Sequence, residues 1–132
     1  ALLTANDYDL QEIFINKPFT SLAADATTAD AAVNHLFKTI ANTGATAITT
    51  ISNAKDGEVY VIECGSATNA TTIAKSGDFS EITAAYTPTA AGDYIKLYYD
   101  ATAGKFHDLE RCVGGTRTIV SAKQPNIQGA TR

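Results

Sequence analysis

The sequence has no Met, no Trp, only two Cys and three Pro, and no long apolar run. Each shortage excludes something. Nothing approaches the ~18 consecutive apolar residues of a membrane-spanning helix, so no membrane role is expected. Two cysteines, Cys64 and Cys112, are too few for a disulfide scaffold and lack CxxC spacing. They read as two free buried thiols, with a single bridge as the alternative. Charged residues make up 18% of the chain, and 10 basic against 14 acidic side chains leave a net charge of −4. A protein that neutralises phosphates needs a basic face, so nucleic acid is not an expected partner. A translated chain opens on Met, so Ala1 reads as a residue exposed by trimming an initiator or by cutting a longer precursor. No basic stretch followed by an apolar one stands at the front, so no signal peptide is expected there.

Alanine and threonine are abundant instead, 23 and 19 of 132 residues. Small side chains and Thr suit tightly layered β-structure more than a chemical active site, which needs titratable groups. The hydrophobic content of 45% argues against disorder. The length is that of one domain.

Residues 1–29 read as an N-terminal arm, 30–121 as a β-rich core and 122–132 as a tail. In the arm, Gln11 to Asn16 is expected to be a strand, ended by Lys17-Pro18. Residues 20–31 hold one large apolar residue and read as a surface connection or a turn of helix. Val33, Leu36, Phe37 and Ile40 fall at helical spacing, yet Phe37 to Ile40 also suits a strand. From Gly44 onward the signals are β. Asp56-Gly57 marks a turn, and Glu58 to Cys64 is apolar on both faces, as in a central strand. Thr71 to Ala74 and Ile82 to Tyr86 read as short pairing segments. Asp93 to Tyr99 alternates, with Ile95, Leu97 and Tyr99 on one face; a Gly-containing connection and a return over Lys105 to Cys112 make a hairpin. Gly114-Gly115 breaks the chain before a last strand from Thr116. Thr-Ile or its equivalent recurs with Ile at 40, 51, 73 and 119, which suggests stacked short strands with an uneven repeat. The expected fold is all-β, an antiparallel β-sandwich or jelly-roll-like single domain with an extended N-terminal arm.

Candidate chemistry is sparse. His35 and His107 stand alone, without the orienting partner and nucleophile that a general base requires, and read as structural or solvated. Asp108 and Glu110 share one face of the expected strand at about 7 Å, a spacing that glycosidase carboxylates use, but solvated rim residues are the expected reading. Asp7 with Asp9 and Asp56 with Glu58 form similar pairs, none in a calcium-loop pattern. No phosphate loop, nucleophile elbow or zinc motif is present. No catalytic residue, metal site or cofactor is expected. Tyr94, Lys96 and Tyr98 lie opposite Ile95 and Leu97 as a candidate sugar or subunit face. The arm's large apolars, Leu2, Leu3, Tyr8, Phe14 and Phe19 foremost, with Leu10, Ile13 and Ile15, are candidate partner contacts, because a free arm of that content would aggregate.

The run Phe37-Lys38-Thr39-Ile40-Ala41-Asn42, then Ala45 to Ile51 and Asp56 to Ile62, carries a resemblance. So do Asn69 to Ile73 and Gly92 to Asp100 with Gly104-Lys105-Phe106 and Glu110-Arg111. Together, over residues 37–111, they resemble β-rich head-fibre, capsid-decoration and tail-fibre or spike domains of tailed bacteriophages. Phe106 stands where Trp is common in those domains, and Glu110 and Arg111 are adjacent where the family spaces them. The resemblance implies a strand rather than a helix at Phe37 to Ile40. It also implies a homotrimer whose arm attaches to the particle, with capsid or other virion proteins as partners. On that reading the chain is a non-enzymatic virion subunit, assembled in the host cytoplasm. The alternative is a carbohydrate-binding or receptor-binding module facing a host surface glycan; the lack of Trp weighs against it and Tyr94 and Tyr98 keep it open.

Overall fold

The computed structural model describes residues 18–120. The expected strand at residues 11–16, Leu2, Leu3, Tyr8, Phe14, the Asp7–Asp9 pair and the tail lie outside the described residues. Among the described residues eight strands run in order: β1 (Thr20–Ser21), β2 (Thr28–Asp30), β3 (Leu36–Lys38), β4 (Thr50–Ser52), β5 (Val59–Glu63), β6 (Tyr94–Asp100), β7 (Lys105–Val113) and β8 (Thr116–Ile119). Among the described residues the helical content is one 3₁₀ turn at Gly77–Phe79. The all-β expectation holds. Neither sheet is purely antiparallel: the six-stranded one, in the order β1-β3-β5-β6-β7-β8, is mixed, and the other pairs β2 with β4 in parallel.

The first half is a short parallel stack. Thr20 pairs with Phe37 and Phe37 with Ile62, so β1, β3 and β5 lie side by side in the same direction. Thr28 pairs in parallel with Thr50, and Ala47 bridges in parallel to Thr72. Each pass of the chain therefore adds a rung to two walls. Residues 20–31, expected to be a surface connection, supply the first rung, so part of the expected arm is built into the sheets. Ala29 is buried there against Ile51.

Side chains tie the corners of this stack. Asn42 Oδ1 accepts the Asp25 N–H at 2.6 Å. Asn42 Nδ2 donates to Asn69 O at 2.7 Å and to Thr71 Oγ1 at 2.9 Å, and Asn69 Nδ2 donates back to Asn42 O at 3.0 Å. On another corner Asn53 Nδ2 donates to Asp30 Oδ1 at 2.8 Å. Asp25, Asn53 and Asn69 all adopt positive φ, a conformation Asp and Asn tolerate better than other side chains.

The second half is antiparallel. β5, β6, β7 and β8 pair in sequence, with Tyr60 opposite Leu97 and Ile62 opposite Ile95. Gly114 and Gly115, at φ 61° and 82°, make the two-residue turn between β7 and β8, a conformation that needs glycine. One face of the six-stranded sheet carries Phe37, Tyr60, Ile62, Ile95, Leu97 and Phe106 into a core shared with Ala29, Ile48 and Ile51 of the smaller wall and with Ile73, Phe79, Ile82 and Tyr86. Phe79 stacks on Phe106 at 5.0 Å between centroids. Each such buried side chain contributes roughly 1.5–3 kcal/mol of transfer free energy.

Of the two readings open at 33–40, the strand implied at Phe37 to Ile40 forms, one residue earlier and shorter, and the helix does not. Val33 and Ile40 are exposed, and Leu36–Lys38 alternates as a strand in which Phe37 points inward.

Candidate interaction face

The other face of the six-stranded sheet has no covering layer among the described residues. Alternation places Leu36 and Lys38 of β3, Val59, Val61 and Glu63 of β5, and Tyr94, Lys96 and Tyr98 of β6 on it. The expected Tyr94–Lys96–Tyr98 row does lie opposite Ile95 and Leu97, but it is tied to its neighbours. Tyr94 OH donates to Glu110 Oε2. Lys96 Nζ lies 3.7 Å from Glu110 Oε1, and Arg117 Nε 2.9 Å from Glu110 Oε2. Tyr98 stacks on His107 with centroids 4.9 Å apart and planes 14° from parallel. Glu110 is thus the hub of the face. The Tyr94 hydroxyl, then Lys96 and Arg117, outweigh its burial and hold its carboxyl below the usual range. In return the Tyr94 phenol, facing a carboxylate acceptor, is pushed up to about 12. Val59 and Ile119 remain 40% and 50% exposed beside this network.

A bulge decides which residues share this face. Lys96 pairs with Glu110 but Leu97 pairs with Asp108, which leaves Leu109 as an extra residue in β7. Asp108 and Glu110 therefore point to opposite faces, and the expectation of a shared face and of a solvated rim is corrected. Asp108 is fully buried. It accepts from Thr83 N at 3.0 Å, Thr83 Oγ1 at 2.7 Å and Arg111 Nη2 at 2.8 Å. Arg111 also donates to Ala84 O and Ala85 O, so the pair pins the segment 83–85 onto the sheet. Burial pushes the Asp108 carboxyl up, but the bonds from Thr83 and Arg111 together overcome this and leave it below its ordinary value.

The remaining candidates are occupied locally. His35 Nε2 lies 3.1 Å from Glu58 Oε1, its Nδ1 lies 3.0 Å from Val59 O, and its ring packs on Tyr60. Asp56 accepts the Ala101 N–H at 2.9 Å. Asp93, buried, accepts the N–H groups of Thr89, Ala90 and Gly114 at 2.8–3.0 Å. Cys64 and Cys112 are free thiols, and burial pushes the Cys64 thiol up, away from the reactive thiolate. An open cleft of about 320 Å³ is lined by Asp25, Thr27, Thr43, Thr46 and neighbours. Its carboxylate already accepts from Thr43 N and Thr43 Oγ1. Among the described residues no three His, Cys, Asp or Glu side chains gather as metal ligands, and no helix is long and apolar enough to cross a membrane. Phe19, the described member of the expected arm contacts, is exposed.

Sequence reasoning missed the Glu110 hub, the Arg117 contact and the Asn42 corner. The first two depend on the bulge, which no periodicity announces. Asn42 was visible only as a polar residue before Gly44.

The class these observations define is an all-β domain with a mixed six-stranded sheet and a small second sheet. Compared with protein-family models, with curated proteins and with solved structures, the chain matches none.

Proposed function

We propose that the chain is a non-enzymatic structural subunit of a tailed-bacteriophage virion, a capsid-decoration or head-fibre protein that works by assembly. Its two sheets serve as the layers of a sandwich, and its N-terminal arm docks on neighbours. The partners are copies of itself, as a trimer, and other virion proteins. The observation that carries this reading is the uncovered sheet face, where Val59 and Ile119 stay exposed around a Tyr–Lys–Tyr row already locked by Glu110 and His107. A rigid face with apolar margins suits a constant protein surface. Subunits that bind across joints lower the free energy of a closed shell by the surface they bury. The carboxylates Asp25, Asp93 and Asp108 fit the same reading, because each is engaged by its own chain.

The same contacts weigh against the sugar-binding alternative. One face of the Tyr98 ring is covered by His107, and the Tyr94 hydroxyl is engaged. The test is the mass of the purified full chain in solution, together with its position in an electron-microscopy map of the source particle. A trimer seated on the virion supports the proposal. A monomer that binds on a glycan array, and loses binding in Tyr94→Ala, would replace it with the sugar-binding module.

A further inference from the structure

Resting on that assembly reading, we propose where the arm of one copy docks: residues 11–16 add as a strand to the outer edge of β8 of the next copy. β8 is the last strand of the six-stranded sheet, and all four of its residues are exposed. Its hydrogen bonding fixes which groups are free. Val120 N donates to Leu109 O at 2.9 Å, and Thr118 and Thr116 lie opposite Arg111 and Val113. In an antiparallel ladder alternate residues bond inward, so Arg117 and Ile119 aim their N–H and C=O groups away from β7. An exposed edge of this kind is a template for strand addition.

Three observations select the occupant. The first is composition. Gln11-Glu12-Ile13-Phe14-Ile15-Asn16 is strand-forming, and residues 1–16 carry Asp7, Asp9 and Glu12 with no Lys or Arg. The β8 segment carries Arg117, which pairs with Glu110 through Nε yet stays 61% exposed in its side chain, and no acidic residue. The second is reach. The arm enters the sheet at β1, on the opposite edge. Six strands at ~4.8 Å spacing separate β1 from a position beyond β8 by about 29 Å. The four residue steps from Asn16 to Thr20 span at most about 14 Å. A chain therefore cannot lay its own residues 11–16 on its own β8. The third is capacity. The nearer edge, β1, is two residues long, whereas β8 offers four. Pro18 also disfavours a tight turn at Lys17. An arm leaving one edge for the far edge of another copy makes a head-to-tail contact, which closes into a ring such as the proposed trimer.

The test uses full-length variants, with mass measured by light scattering and fold checked by circular dichroism. Ile119→Pro removes an outward N–H, whereas Ile119→Ala keeps it. Ile13→Pro and Phe14→Pro remove adjacent N–H groups of the arm, one of which must face the partner strand. The expected result is an oligomer for the wild type and Ile119→Ala. Ile119→Pro and at least one arm variant should weaken association more than tenfold with the β-spectrum intact. If Ile119→Pro fails to fold, Arg117→Pro set against Arg117→Ala decides the matter: both lose the Glu110 ion pair, but only the proline loses the outward N–H. If the arm variants dissociate but the β8 prolines do not, the arm docks elsewhere; this proposal fails and the assembly reading stands. Loss in Ile119→Ala as well would make side-chain packing the holding force and overturn strand addition. A monomeric wild type would overturn the assembly reading and this proposal with it.

Discussion

The two halves of the molecule solve the same problem with different materials. In the parallel half, β1 to β4 are two or three residues long, and rungs join residues 17 to 25 positions apart. Strands that short offer few ladder bonds, so Asp25, Asn42, Asn53 and Asn69 close the corners with side-chain bonds. In the antiparallel half, β6 and β7 run seven and nine residues and are joined by a tight turn. Long local hairpins carry the pairing themselves, and the side chains are freed for an aromatic core and one buried ion pair. The threonines of the parallel half serve this solution, with Thr43 and Thr71 hydroxyls bonded at the bends, whereas its alanines other than Ala29 are not buried in the core.

The largest expected effect tests the antiparallel half. Asp108→Ala leaves Arg111 without its carboxylate in a site where that side chain is 12% exposed. Removing one partner of a buried pair costs about 3–5 kcal/mol. Urea unfolding should show a loss of that order, and amide exchange should report early opening at Thr83. A loss under 1 kcal/mol would mean that the core, not the ion pair, holds residues 83–85. The next effect tests where the halves meet. A Cβ on Gly65 would sit 2.1 Å from the Thr39 carbonyl oxygen, a backbone atom that must move. Gly65→Ala should therefore cost about 1–3 kcal/mol. A thermal scan indistinguishable from wild type would show that the β3–β5 rung yields freely.

The same contrast explains what was legible in the sequence. A continuous apolar run marks β5 and period-two alternation marks β6, because those strands are long enough to carry a pattern. Gly114-Gly115 marked a break that proved to be a hairpin turn. Rungs of two or three residues carry no period, so residues 20–31 read as a connection although Ala29 is buried in the core. The apparent helix at 33–40 was a coincidence of spacing. The Thr-Ile recurrence does not mark stacked rungs: Ile40 lies outside the strands, Ile51 pairs with Ala29, Ile73 bridges Tyr86 and Ile119 lies opposite Glu110, so no two of these positions are neighbours in a ladder. In the candidate face, Tyr94, Lys96 and Tyr98 were legible from alternation. Glu110 was not, because the Leu109 bulge reverses the parity of every residue after it.

A corner substitution sharpens the comparison from the parallel side. Asn42→Ala removes three hydrogen bonds that link successive bends, keeping only the one that Asn69 Nδ2 donates to the residue 42 carbonyl; the Asp25 N–H loses its acceptor and the buried Thr71 hydroxyl loses its donor. A cost of about 2 kcal/mol is expected, since an unsatisfied buried group costs ~1–3 kcal/mol. Acid should then unfasten the other half. The carboxyls of Asp93 and Asp108 are held below the ordinary 3.8, in each case because hydrogen bonds outweigh burial. A lowered folded-state value means that the unfolded chain binds more protons in that window. Their stabilisation is fully present above the ordinary carboxylate value and is lost as pH falls below it. Unfolding followed from pH 6 downward should steepen below about pH 4. Asp108→Asn should flatten that fall, and an unchanged slope would remove Asp108 from the account.

The smallest effect falls on the uncovered face itself. Tyr94→Phe deletes the hydroxyl that Glu110 accepts, but Lys96 and Arg117 still compensate the carboxylate. A partly exposed site of this kind should lose no more than about 1 kcal/mol. Its titration is more telling than its stability. The bond to Glu110 raises the Tyr94 phenol to about 12, so the face keeps its hydroxyl donor through neutral and mildly alkaline pH. Because the folded value lies above the ordinary 10.0, this contribution is present below pH 10 and disappears as pH climbs through 12. Glu110→Gln exchanges the carboxylate acceptor for a neutral one and should draw the Tyr94 titration back toward 10.0, read from tyrosinate absorbance. If the variant titrates like the wild type, Glu110 does not control the row. The rigidity argued for this face would then rest on the Tyr98–His107 stack instead.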